Sequence, residues 1–211
     1  MENKIAPRIQ IFVNQSNLLC LNSIVTLCND LNIAQKCEAF GQQFELFVSA
    51  GSCDGENEKL YPIRMESGDL SKIPDYLTKH TISYMKKHSI KDVFGFSEKY
   101  LCTEFHDWNQ SVYPKSKSPT FYIDSNLNVY PNLTSTHPWW KIGNLLTDGC
   151  ETILKRYMED DFFAAKEMKA NNFENLLELY GNVNSYKLFE VDDYYYYIWN
   201  LYLREAFEKL S

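Results

Sequence analysis

The run Asp192-Asp193-Tyr194-Tyr195-Tyr196-Tyr197-Ile198-Trp199-Asn200-Leu201-Tyr202-Leu203 restricts the fold more than any other part of the chain. Wound as a helix, it carries apolar or aromatic side chains around nearly its whole circumference, and a helix apolar on all sides is buried on all sides. Either the chain wraps this helix in its own core, or a second chain covers it. With 211 residues, 45% of them hydrophobic, the first route is open: the length suffices for one compact core with a helical appendage. The second route predicts a protein or peptide partner, a second copy in a homodimer included.

The same run is too polar for a membrane, because Asn200 interrupts it and phenolic hydroxyls crowd it. Nowhere does the chain hold the roughly 18 consecutive apolar residues a spanning helix needs. Met1-Glu2-Asn3-Lys4 leads into a strand-like segment without the charged and apolar regions of a secretory signal, so a cytoplasmic protein is expected. Twenty-eight acidic residues against twenty-one basic ones give a net charge of -7, which opposes a phosphate backbone and makes nucleic acid an unexpected partner. Lys86, Lys87, His88 and Lys91 form the densest basic cluster and read as the solvated C-terminal end of a helix. Six cysteines lie scattered with no Cys-x-x-Cys pair, which reads as buried or idle thiols in a reducing compartment.

Ile9, Ile11 and Val13 alternate with Gln10 and Phe12, the period of a strand. Ser16 or Asn17 can cap the following helix, whose apolar face is Leu18, Leu21, Val25, Cys28 and Leu31. Residues 33–40 and 44–48 read as strands, which makes a parallel βα unit. The polar stretch 51–58 reads as a surface loop. Pro74 opens a helix running to about residue 89, in which His80 and His88 fall near one face, and Val93 to Phe96 read as a short strand. Residues 99–119 show little periodicity. A hairpin follows, Phe121-Tyr122-Ile123 against Val129-Tyr130, with Asn126 or Asn128 expected at positive φ. Beyond residue 147 the chain is helical: Asp148 can cap a helix carrying Ile153, Leu154, Tyr157 and Met158, and others are expected at 161–169, 172–180 and 191–210.

The hairpin Phe121-Tyr122-Ile123-Asp124 to Val129-Tyr130-Pro131, followed by Ile142-Gly143-Asn144-Leu145 and a helix, resembles the SPASM or twitch extension of radical S-adenosylmethionine enzymes. The βα unit before it, with Asn14 just after its strand, is similar to the late strands of that family's partial barrel. The resemblance covers about residues 5–160. It implies an α/β fold: a partial-barrel-like βα region over 1–98, a SPASM/twitch-like hairpin and helix over 99–160, and a C-terminal helical cap over 161–211. The family's turn glycine falls on Leu127, and its cluster-binding cysteine after the proline falls on Asn132. A carboxamide cannot replace the thiolate that an iron-sulfur cluster requires. The Cys-x-x-x-Cys-x-x-Cys that holds the family's catalytic cluster occurs nowhere in the chain, so no cofactor is expected.

Three readings of function follow. In the first, the chain is a non-catalytic accessory or binding protein derived from that scaffold, engaging a peptide or protein through an open strand edge and the aromatic surface at Trp139 and Trp140. Asn132 and Asn144 are further candidate binding residues. Adjacent tryptophans must point in different directions, leaving one of them exposed for recognition or both packed into a corner. In the second, a metal-assisted enzyme uses Glu104, His106, Asp107 and His137, against a plainer reading in which His106 and Asp107 satisfy loop backbone. In the third, the chain is the C-terminal portion of a larger radical S-adenosylmethionine enzyme. Anaerobic reconstitution with iron and sulfide is expected to leave the protein colourless; a stoichiometric four-iron absorption spectrum would refute the reading of the cysteines.

Overall fold

A computed structural model describes residues 6–53, 55–104, 119–132 and 135–210. The chain divides into two compact units. The first comprises Met1–Gly51, Leu60–Glu98 and Ser185–Glu190, and the second Ser52–Lys59, Lys99–Asn184 and Val191–Ser211.

In the first unit β1 (Arg8–Val13) lies parallel to β2 (Glu45–Ala50), with Arg8 opposite Glu45 and Val13 opposite Ala50. The alternation seen in sequence sends Ile11 and Val13 into the core and leaves Phe12 58% exposed. A 3-10 turn (Leu18–Cys20), α1 (Leu21–Asp30) and α2 (Ile33–Glu38) connect the two strands. Leu18, Leu21 and Cys28 are buried as their spacing predicts, whereas Leu31 is exposed. The strand expected over 33–40 is instead helical through Glu38. Asn32 takes a left-handed conformation (φ 50°) that ends α1 and redirects the chain. Ile33 and Cys37 then share a face at the four-residue spacing of a helix, and Cys37 is fully buried.

The helix α3 (Asp75–Met85) covers β2: buried Thr81 accepts a 3.0 Å hydrogen bond from the Val48 amide through its Oγ1, and Tyr84 stacks on Phe47 at 4.2 Å. Lys86 at φ 53° closes this helix, so His88 lies beyond it and does not share its face with His80. The strand expected at 93–96 begins instead as α4 (Ile90–Phe94). A reciprocal pair starts that helix, Ser89 Oγ accepting from the Asp92 amide and Asp92 Oδ2 from the Ser89 amide. Only β3 (Phe96–Ser97) is extended, and α5 (Glu98–Glu104) follows where irregular chain was expected.

The distant segment 185–190 is tied into the first unit by its backbone. Here β7 (Leu188–Phe189) pairs antiparallel with β3; the Leu188 amide donates to the Met65 carbonyl at 2.9 Å, and the Glu98 amide to the Lys187 carbonyl at 2.7 Å. Buried Arg64 donates from Nε to the Leu188 carbonyl and from its terminal nitrogen to the Gly51 carbonyl, and lies 3.9 Å above the Phe189 ring.

The second unit holds a three-stranded antiparallel sheet in the order β4 (Tyr122–Ile123), β5 (Asn128–Tyr130), β6 (Gly143–Asn144). Besides most of α5, the helices described with it are α6 (Cys150–Glu159), α7 (Phe163–Ala170), α8 (Phe173–Tyr180) and α9 (Val191–Glu208). Ile153 and Tyr157 of α6 are buried, but Leu154 and Met158 are exposed, so its apolar face is narrower than the sequence suggested. The aromatic helix α9 lies against α8 and the Pro138–Trp140 turn in the same unit, with Tyr194, Tyr195, Ile198, Trp199 and Leu203 buried. The chain's own packing thus buries much of α9.

The fold is thus mixed α/β, with a parallel βα unit, a small hairpin and C-terminal helices, and its sheets do not form a barrel. Among the described residues no helix is long and apolar enough to cross a membrane.

Gly95 sits where β3 meets β7. At φ 80° and ψ -142° its backbone is open essentially to glycine alone, and a Cβ there would lie 2.0 Å from the Phe189 carbonyl oxygen. Gly95→Ala is therefore expected to cost at least about 2 kcal/mol in chemical denaturation, strain and overpacking acting together. An unchanged midpoint would contradict the packing described.

Candidate functional site

The hairpin module is held by carboxylates and carboxamides. Asp124 at the end of β4 accepts from the Asn126 amide (2.8 Å), the Asn128 amide (2.9 Å), the Asn128 side chain (2.9 Å) and the Tyr130 hydroxyl (3.2 Å). The Asn128 side-chain bond leads the causes that hold its carboxyl below the usual carboxylate range. The positive φ of the turn falls on Leu127 (62°), not on Asn126 or Asn128. Those two asparagines are engaged by Asp124 in other conformations, which leaves the left-handed position to the leucine between them.

Asn144 is spent on the same turn. Its Nδ2 donates to the Asn126 carbonyl at 2.8 Å and to Asn128 Oδ1 at 3.0 Å, and its Oδ1 accepts from the Leu146 amide at 3.0 Å. Asp148 accepts from the Asn144 amide at 2.8 Å and pairs with Arg156 at 3.1 Å, and these two contacts hold its carboxyl low. Gly149, not Asp148, is the residue that precedes α6. Gly143 packs so tightly beneath this helix that a Cβ would come within 2.9 Å of both Asp148 Oδ2 and Ile153 Cγ1.

Trp139 and Trp140 are both buried, at 6% and 0% exposure, so the packed corner is realised and the exposed recognition surface is not. Their indole N–H groups donate to one atom, Asn200 Oδ1 on α9, at 3.0 and 2.7 Å. Sequence reasoning treated Asn200 only as a break in an apolar run. The signal that was available is a carboxamide inside a helix that must be wholly buried, because such a group requires partners.

His137 is half-buried and stacks on Trp139, ring centroids 4.3 Å apart. Glu104 is exposed at the end of α5, while His106 and Asp107 lie outside the described residues. Asn132 is half-buried just after β5. Among the described residues no three of His, Cys, Asp and Glu come together as a metal site. Cys102 is buried with its sulfur 3.1 Å from the Tyr194 hydroxyl, and Cys150 is exposed at the start of α6. Position 132 offers a carboxamide, not a thiolate.

One cleft, of about 560 Å³, lies in the first unit against α2, the segment leading to β2, and α3. It includes His80, whose Nε2 is 3.1 Å from Glu45 Oε2. Neither Glu45 nor the cleft was visible from sequence, because the contact joins positions thirty-five residues apart.

Asn200→Leu keeps the bulk but leaves two buried indole donors without an acceptor. It is expected to lower stability by about 1–4 kcal/mol: each unsatisfied buried donor costs about 1–3 kcal/mol, and loss of Asn200 Nδ2, buried without a partner among the described residues, offsets part of that. Urea denaturation checks this, with Trp fluorescence reporting the two indoles; a shift under about 1 kcal/mol would mean the shared acceptor is unimportant.

Comparison of the chain with protein-family models, with curated proteins and with solved structures found no match.

Proposed function

We propose that the chain is a non-catalytic accessory or binding protein of the cytosol, built on a scaffold derived from radical S-adenosylmethionine enzymes. In this reading it engages an extended segment of a partner protein along the outer edge of β1. The observation that carries it is the asymmetry of the parallel pair. The outer edge of β2 is closed by α3 through Thr81, whereas among the described residues no strand pairs with the outer edge of β1. An unpaired strand edge is a template for a further strand, which supplies main-chain hydrogen bonds while alternate side chains supply specificity. Arg8, Gln10 and Phe12 are the exposed positions of β1. Asn17 Nδ2 already takes the Phe12 carbonyl at 2.8 Å, which sets the C-terminal limit of the usable edge.

The hairpin supports the ancestry. Leu127, where the resembled family has glycine, adopts the positive φ that glycine serves best. Gly143 and Asn144 form the third strand and lead into α6. Asn132 in place of the thiolate favours a binding role over cluster chemistry. The metal-assisted alternative gains no comparable support: Glu104 is exposed at the end of α5, and His106 and Asp107 lie outside the described residues.

The test is photocrosslinking in native cytosol with benzoylphenylalanine at position 12. A discrete crosslinked species containing another protein, competed away when an extended peptide from that protein is added, is the expected result. A ladder without discrete bands, or a crosslink that the peptide leaves intact, would sink the edge-pairing reading, and a crosslinked dimer of the chain would replace the partner with a second copy.

A further inference from the structure

The cleft of the first unit carries more chemistry than its position against two helices requires. Glu38 contributes an exposed carboxylate, and no lysine or arginine is among the lining residues. A second carboxylate stands directly behind the wall, because His80 is held by Glu45 at 3.1 Å and both are about four-fifths covered. The Tyr76 ring stacks on His80 at 5.9 Å and remains 49% exposed, which leaves aromatic surface open to an incoming group. Phe44 is buried and lines the cleft as an apolar surface. Gly41 opens it further: a Cβ there would meet nothing within 4 Å. Apart from His80, Glu38 is the one ionisable acid or base lining the concavity besides the Tyr76 phenol, and a carboxylate there draws in cations. The cleft volume of about 560 Å³ suits a small ligand.

We propose that this cleft binds a small organic cation, an ammonium or guanidinium group on a short apolar stem. The charge sits between the Glu38 carboxylate and the face of Tyr76, and the stem lies on Phe44. An anion is repelled by the Glu38 carboxylate, and an uncharged apolar molecule gains nothing from Glu38 or from the quadrupole of the Tyr76 ring. The cation arrives either as a free amine or as the basic side chain of a peptide. The inference does not depend on the β1 edge, and its test reads different residues.

The experiment titrates the full chain with agmatine at low salt and follows amide and aromatic NMR shifts. Saturable shifts confined to α2, the segment after it and α3 are expected. Glu38→Gln and Tyr76→Ala are each expected to weaken binding by about two- to fivefold, as befits an exposed ion pair and an exposed cation–π contact. The double variant should lose about tenfold or more. Both side chains are exposed, so the variants should melt with the parent, and a melting control separates lost binding from lost fold. A tripeptide with central arginine distinguishes the sources: tighter binding than agmatine assigns the site to a peptide side chain, and equal or weaker binding assigns it to a free amine. Agmatine that never saturates, that binds the double variant as tightly as the parent, or that is matched by pentanoate overturns the proposal.

Discussion

A single carboxamide oxygen organises the larger of the two units. Asn200 Oδ1 receives both indole N–H groups of the Trp139-Trp140 pair, and all three side chains are buried. An indole N–H is a donor only, so burying two of them without an acceptor would cost about 1–3 kcal/mol each. Placing one acceptor between them satisfies both and fixes the Pro138–Trp140 turn to the middle of α9. From that joint the aromatic packing extends outward. Trp140 meets Tyr196 edge-on, Trp139 approaches Phe207, and Phe173 of α8 lies 4.7 Å from Tyr195.

The rim of α9 is polar in a way that complements this centre. Tyr202 donates to Glu167 Oε2 at 2.5 Å and accepts from Asn171 at 2.8 Å, while Tyr180 donates to Glu205 at 2.9 Å. Burial, with the adjacent carboxylate adding to it, pushes Tyr180 and Tyr202 up to about 12, so these hydroxyls stay protonated donors throughout the physiological range. Of the four-tyrosine run Tyr194, Tyr195 and Tyr197 are buried, while Tyr180 and Tyr202 outside it hold neighbouring helices through carboxylates.

Hydrogen-bonded side chains also shape the hairpin. Asp124 and the Asn144 Nδ2 group are engaged within the hairpin itself, with Asn126, Asn128 and Tyr130. That network explains how the module keeps its form with a leucine at the left-handed position. It also engages Asn144, a candidate binding residue in sequence, within the hairpin module. The cleft of the first unit differs in kind, since its Glu38 and Tyr76 side chains face solvent and are available to a ligand.

Local patterns told the truth where the deciding forces were local. The alternation of Ile9, Ile11 and Val13 determined β1, three- and four-residue apolar spacing determined α1, α3 and α6 to α8, and the all-round apolarity of residues 194–203 determined that α9 would be buried. Errors came where a short segment satisfied two periods at once, as at 33–40, or where a cap outweighed apolar content, as Ser89 and Asp92 do for α4. Only the tertiary structure decided what buries α9, that both tryptophans turn inward to one asparagine, that segment 185–190 joins strands laid down ninety residues earlier, and that His80 meets Glu45. Each of these is a contact between residues far apart in the chain. Its energy depends on a geometry that no window of sequence contains, whereas periodicity and capping are properties of neighbours.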